Sequence, residues 1–207
     1  MVAKPPTSEG KRAGGAAIAG GLTAATLAIA AALIGGFEGK RNTPYLDPVG
    51  VLTVCYGHTG GDIQKGKRYS DEECRAMLER DLAAHADALS CVKTPLTDAQ
   101  RIAFASLAYN IGKGAFCSSS AVKKANAGDI AGACKAVELW RNGRVNGQLK
   151  PLPGLVKRRA VERALCEGDI ESAQRQLQAW GMGEAAEAVE GLADETPATE
   201  CTCEGQK

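Results

Sequence analysis

The stretch FEGKRNTPYLDPVGVLTVCYGH, residues 37–58, decides how the rest of the chain reads. It carries Glu38, Asp47 and Thr53, and the punctuation of Pro44, Pro48 and Gly50 predicts a tight β-hairpin rather than a continuous helix. A turn of that kind brings sequence-distant groups onto one cleft. Two carboxylates at this spacing are by themselves most often solvated surface charges. Together with a hydroxyl they suit cleavage of a glycosidic bond, where one carboxylic acid protonates the leaving oxygen and the other groups position and activate water. Glu38 is the candidate acid, with Asp47 and Thr53 as its partners.

The order Glu38, Tyr45, Asp47, Gly50, Thr53, Gly57, His58 resembles the signature of the phage-type lysozyme family. Cys55 departs from it, standing where many members have glycine. The resemblance extends more loosely through LTDAQRIAFASLAYNIG and PLPGLVKRRAVERALCEGD to Asp169. It implies a muramidase that hydrolyses the β-1,4 bond between N-acetylmuramic acid and N-acetylglucosamine in peptidoglycan. Glu38 would be the proton donor, and Asp47 with Thr53 would orient or deprotonate the attacking water, with inversion at the anomeric carbon. It also implies an α+β fold, a small lobe with a β-hairpin and a mainly helical second lobe with the cleft between them. His58 is expected to hold the hairpin to the helical lobe rather than to act in catalysis.

Ahead of the hairpin, residues 1–13 carry Lys4, Lys11 and Arg12, and residues 14–36 carry no charge. This matches a segment entering a membrane with its start in the cytoplasm, and a bilayer-spanning helix needs about 20 residues. Alanine and glycine dominate the run, leaving only six Leu or Ile. At roughly 0.3 to 0.6 kcal/mol each, these favour insertion weakly. A cleaved signal peptide, a stable small-residue anchor and a segment that inserts and later leaves are the three readings. Position favours the third, because Glu38 follows so closely that an inserted segment would hold the acid at the membrane surface. The arrangement resembles signal-arrest-release endolysins, exported to the host inner membrane with the catalytic domain in the periplasm and then released. Residues 37–183 are then the catalytic domain, expected to act as a monomer.

Helical signals dominate after His58. Ser70 with Glu73 and Thr97 with Gln100 make capping-box patterns, Asp129 caps a helix reaching Trp140, Gly154 opens another that Gly168 ends, and Ile170 to Trp180 makes a last one. Tyr109 and Asn110 either face the cleft or belong to the core. The run Lys157, Arg158, Arg159 either meets anions of substrate or wall or forms a solvated helix face. From Glu184 the chain is small and acidic, which predicts a disordered tail over residues 184–207.

The net charge is +1, but the body is basic and the tail acidic. A basic body suits a polyanionic wall. Nucleic acid is the weaker reading, since aromatic residues are scarce and no binding module appears. Eight cysteines without CxxC or a Cys/His spacing argue for export and disulfides rather than a metal site, with several as small reduced core residues the lesser alternative; no cofactor is called for. A lytic transglycosylase, which uses one glutamate and no water, and an inactive tethered wall-binding protein are the alternatives.

Overall fold

The computed structural model describes residues 21–47 and 50–193. Its first helix, α1 (Ala24–Glu38), starts at a capping box in which the Thr26 amide donates to Thr23 Oγ1 and the Thr23 amide donates to Thr26 Oγ1. The latter half of the uncharged run is therefore helical, and its Leu27, Ala30, Ala31, Leu33 and Ile34 are buried in the main core, as is Leu22 just before it. Among the described residues no helix is long and apolar enough to cross a membrane. Residues 14–20 of the run lie outside the described residues.

Gly39, with φ of 72°, ends α1 and turns the chain into a three-stranded antiparallel sheet, β1 (Arg41–Leu46), β2 (Leu52–Cys55) and β3 (His58–Thr59). Tyr45 pairs with Thr53 and Leu46 with Leu52, so the predicted hairpin is present. Cys55 has φ of 59°. That left-handed backbone costs a non-glycine residue about 1 to 2 kcal/mol, which explains glycine at this position in a sequence signature. Here a disulfide to Cys74 ties the strained residue to α2 (Asp71–His85). Val54, Cys55, Ile63, Tyr69, Cys74 and Met77 form a small core between sheet and helix.

The second lobe is built round α3 (Asp98–Ile111), whose stretch from Ile102 to Ala108 is buried throughout. Helices α4 (Lys113–Ser118), α5 (Ser120–Asn126) and α6 (Ile130–Ala136) follow. The helix expected to reach Trp140 tightens to 3₁₀ geometry over Val137–Trp140. A second hairpin, β4 (Asn142–Val145) and β5 (Gln148–Pro151), turns at Asn146 and Gly147, both with positive φ. The Asn-Gly pair is the local signal for that turn. Helix α7 (Pro153–Glu167) then packs along α3.

Helices α8 (Ile170–Ala179) and α9 (Gly183–Glu190) complete the described chain, and α9 packs on α1. This corrects the expectation of disorder from Glu184. Ala185, Ala186, Val189 and Leu192 lie at helical spacing and are buried, so the acidic residues form only the outer face of an amphipathic element. Residues 194–207, including Cys201 and Cys203, lie outside the described residues. The six body cysteines pair as Cys55–Cys74, Cys91–Cys117 and Cys134–Cys166.

Candidate active site

Glu38 is the last residue of α1, its side chain 28% exposed, and Arg158 Nη1 donates to its Oε1 at 2.5 Å. That arginine is itself fixed from behind. Its Nε donates to Glu162 Oε1 at 3.1 Å and its Nη2 to the Ser106 carbonyl at 3.0 Å, while Ser106 Oγ donates to Glu162 Oε1 at 2.6 Å. Glu162 is fully buried and Arg158 nearly so. The guanidinium spreads its donors over α1, α3 and α7, so the acid at the end of α1 is oriented by two helices of the other lobe.

Neither sequence-based alternative for Arg158 and Arg159 survives. Both are buried, at 3% and 1% exposure, and only Lys157 of the run is exposed. Glu162, three and four positions along α7, supplies the countercharge that permits this. Arg159 Nη2 also donates to Asn110 Oδ1 at 2.9 Å. Burial comes first among the influences on Arg159 and lowers its pKa, and the Glu162 carboxylate opposes that effect.

Among the described residues, Glu38 borders two cavities. One, about 350 Å³, lies between the sheet and the helical lobe, with Tyr56, Gly57, Thr59, Asp81, His85 and Tyr109 in its lining. The other, about 570 Å³, includes Asn110, Leu155, Trp180 and Met182. Tyr109 and Asn110 thus each face a cavity. Burial raises the Tyr109 hydroxyl to about 12, with the negative charges of Glu38 and Asp81 adding to the effect, so it stays a neutral phenol at any physiological pH.

Asp47 follows directly on β1, and Thr53 lies within β2 opposite Tyr45 and Thr59. Asp47 Oδ1 accepts from the Val51 amide at 2.8 Å, and Thr53 Oγ1, on a residue only 4% exposed, donates to the Val51 carbonyl at 3.1 Å. Both are anchored through one residue, Val51. Neither lines the two cavities that Glu38 shares.

His58 has a structural placement. Its Nδ1 lies 2.9 Å from Asp81 on α2 and its Nε2 lies 3.0 Å from Asp62, joining β3 to the helix that follows. Burial works against the charge on His58, but the two carboxylates outweigh it and the net pKa is raised. Asp62 is lowered in turn, first by its hydrogen bond with His58.

A glutamate gripped at the junction of a small sheet lobe and a helical lobe, facing cavities on both sides, defines a glycoside hydrolase of the lysozyme type. The Phage lysozyme family model matches residues 35–162. A SAR-endolysin of Bacteriophage PS119 is 44% identical over 158 residues, covering 73% of this chain and 90% of that protein. The SAR-endolysin of Enterobacteria phage P21 is 42% identical over 163 residues, covering 75% and 94%. Among solved structures, the muramidase domain of SpmX from Asticaccaulis excentricus superposes with a TM-score of 0.62 at 36% identity, covering 66% of this chain and 93% of that one. The endolysin from Escherichia coli O157:H7 phage FAHEc1 gives a TM-score of 0.61 at 29% identity, covering 67% and 90%. The chain belongs to the phage lysozyme family. It is a muramidase of the endolysin kind, whose substrate is peptidoglycan and whose action is host lysis.

Proposed function

We propose that Glu38 is the proton donor of this hydrolysis and that Asp47 with Thr53 places the water. The carrying observation is the grip of Arg158 on Glu38 Oε1. With one carboxyl oxygen held, the other is presented to the cleft, where its proton passes to O4 of the departing N-acetylglucosamine as the bond from the muramic acid C1 breaks. A water attacks C1 from the opposite face and gives its proton to Asp47, while Thr53 Oγ1 keeps that water oriented. Anchoring of both residues through Val51 supports a fixed water position. The product is a hemiacetal of inverted configuration, which requires room for the water between the carboxyls.

Glu38→Gln is the test. Loss of a general acid costs on the order of 10² to 10⁴ in rate, so lysis of chloroform-treated Gram-negative cells should nearly vanish while the melting curve is retained. Mass spectrometry of the released muropeptides checks the chemistry, because an anhydro end would mark a transglycosylase instead.

We also propose that residues 14–36 deliver the enzyme to the inner membrane with its start in the cytoplasm, hold it inactive, and then leave the bilayer. The burial of Leu27, Ala30, Leu33 and Ile34 supports this reading, since these side chains cannot sit in lipid and in the enzyme core together. Glu38 ends that same helix. Insertion would therefore withhold both core and acid.

A further inference from the structure

The family match ends at residue 162, yet the turn between α8 and α9 returns to the larger of the two cavities beside Glu38. Trp180 and Met182 stand in its lining with Leu152 and Leu155, and Asn110 and Glu38 supply polar atoms. Lys157 Nζ lies 5.2 Å from the Trp180 ring centroid and braces the indole in place.

Asn110 has a determined orientation. A guanidinium can only donate, so the oxygen of the Asn110 amide must be the atom facing Arg159 Nη2, 2.9 Å away. With that oxygen engaged, the hydrogen-bonding group left on the Asn110 side chain, which lines the cavity, is Nδ2, a donor of two hydrogens. One directed donor beside an apolar wall of Trp180, Met182, Leu152 and Leu155 matches an acetamido group, whose carbonyl needs the donor and whose methyl needs the wall. A plain hydroxylated sugar can lay its C–H face on the indole but has neither the amide carbonyl to take the donor nor the methyl group to fill the rest of the wall.

We propose that this cavity is the subsite for the N-acetylglucosamine on the leaving side of the scissile bond, with Asn110 Nδ2 donating to its acetamido oxygen and the turn at Trp180 and Met182 packing against its methyl group and ring. The side is set by Glu38, which shares the cavity and would protonate the departing sugar's O4, so the assignment rests on the reading of Glu38 as the acid. The C-terminal helical pair then acts in specificity as well as covering α1.

Binding is measured by titration calorimetry on the full chain carrying Glu38→Gln, which removes turnover, with chitotetraose and with cellotetraose, its counterpart lacking acetamido groups. Chitotetraose should bind at least tenfold more tightly than cellotetraose. Asn110→Asp keeps an oxygen for Arg159 but removes the donor, and Trp180→Leu keeps apolar bulk but removes the flat face. Each should weaken chitotetraose roughly five- to tenfold, the scale of one lost hydrogen bond or ring contact. The two-sugar comparison involves neither substitution, so it stands even where Trp180→Leu disturbs folding. Equal binding of the two sugars, or less than threefold weakening by both substitutions, overturns the subsite. Lysis by the unsubstituted chain, measured beside its Glu38→Gln variant, tests the acid separately. Lysis lost with Glu38 while sugar binding ignores Asn110 and Trp180 would remove the subsite and leave the acid in place.

Discussion

Arg158 Nη1 meets Glu38 Oε1 at 2.5 Å across 120 positions of sequence, and that contact joins the end of α1 to α7. The arginine balances two carboxylates at once, Glu38 at the cleft and Glu162 in the core. Removing it strands Glu162 in the interior with a reduced countercharge. Arg158→Met should therefore cost about 3 to 5 kcal/mol of stability, the scale for breaking a buried pair. The double change Arg158→Met with Glu162→Met should not restore that loss, because it leaves Arg159, itself buried, without the carboxylate that balances its charge. Lysis should remain low in both, since Glu38 is no longer held. Thermal melts and turbidity assays on the three proteins check this, and recovery of lysis in the double variant would contradict the positioning role.

Asp47 and Thr53 are separable from the fold. Asp47→Asn keeps an oxygen to accept from Val51, so the turn should persist while the proposed base is lost. Thr53→Val removes a hydroxyl bonded to the Val51 carbonyl. Each is expected to lower turnover by about 10²-fold or more, with a Tm change far smaller than that of Arg158→Met. Undiminished lysis by Asp47→Asn would remove it from the mechanism.

The contacts of His58 with Asp62 and Asp81 make stability depend on pH. His58 holds its proton more tightly folded than unfolded, so its contribution is complete below the ordinary histidine value near 6.5. It fades as pH rises through the raised folded value. Asp62 is lowered on folding, so its share is lost as pH falls through the carboxylate range. Chemical denaturation of wild type and His58→Asn should differ by about 1 to 3 kcal/mol between those limits, with the gap narrowing above neutrality. A gap that widened with rising pH would contradict the sign of the His58 effect.

Gly14→Leu with Gly15→Leu lies outside the described residues and should strengthen the insertion of residues 14–36. Cell fractionation should then find the protein held in the membrane, with lysis delayed. Gly36→Leu is a different experiment, because a Cβ there would collide with Met182 Cε. It should impair the docking of α1 against the turn as well. Rapid lysis by the Gly14 and Gly15 variant would sink the arrest-and-release reading.

The Cys134–Cys166 bridge closes a loop spanning 32 positions. Replacing both cysteines with alanine is expected to cost about 3 to 4 kcal/mol by the loop-entropy estimate, measured by urea unfolding of the oxidised proteins.

Features legible along the chain are those that neighbours within a few positions decide. Thr97 with Gln100 and Ser70 with Glu73 start their helices, Pro44 to Gly50 turns the hairpin, and Glu38, Asp47 and Thr53 fall in a pattern dense enough to assign the family. The scarcity of Leu and Ile in residues 14–36 is likewise a property of composition. The fate of charges and surfaces whose partners are remote is set by the folded arrangement. Arg158 and Arg159 read as solvent-facing because nothing local reveals that Glu38, Ser106 and Asn110 surround them. The segment after Gly183 read as a tail because its apolar face is narrow and finds cover on α1, more than a hundred residues upstream. Trp180 became part of the cleft for the same reason. Burial of a charge, or of a thin apolar stripe, is favourable only when distant groups supply the countercharge or the covering surface, and the three-dimensional arrangement alone states which groups those are.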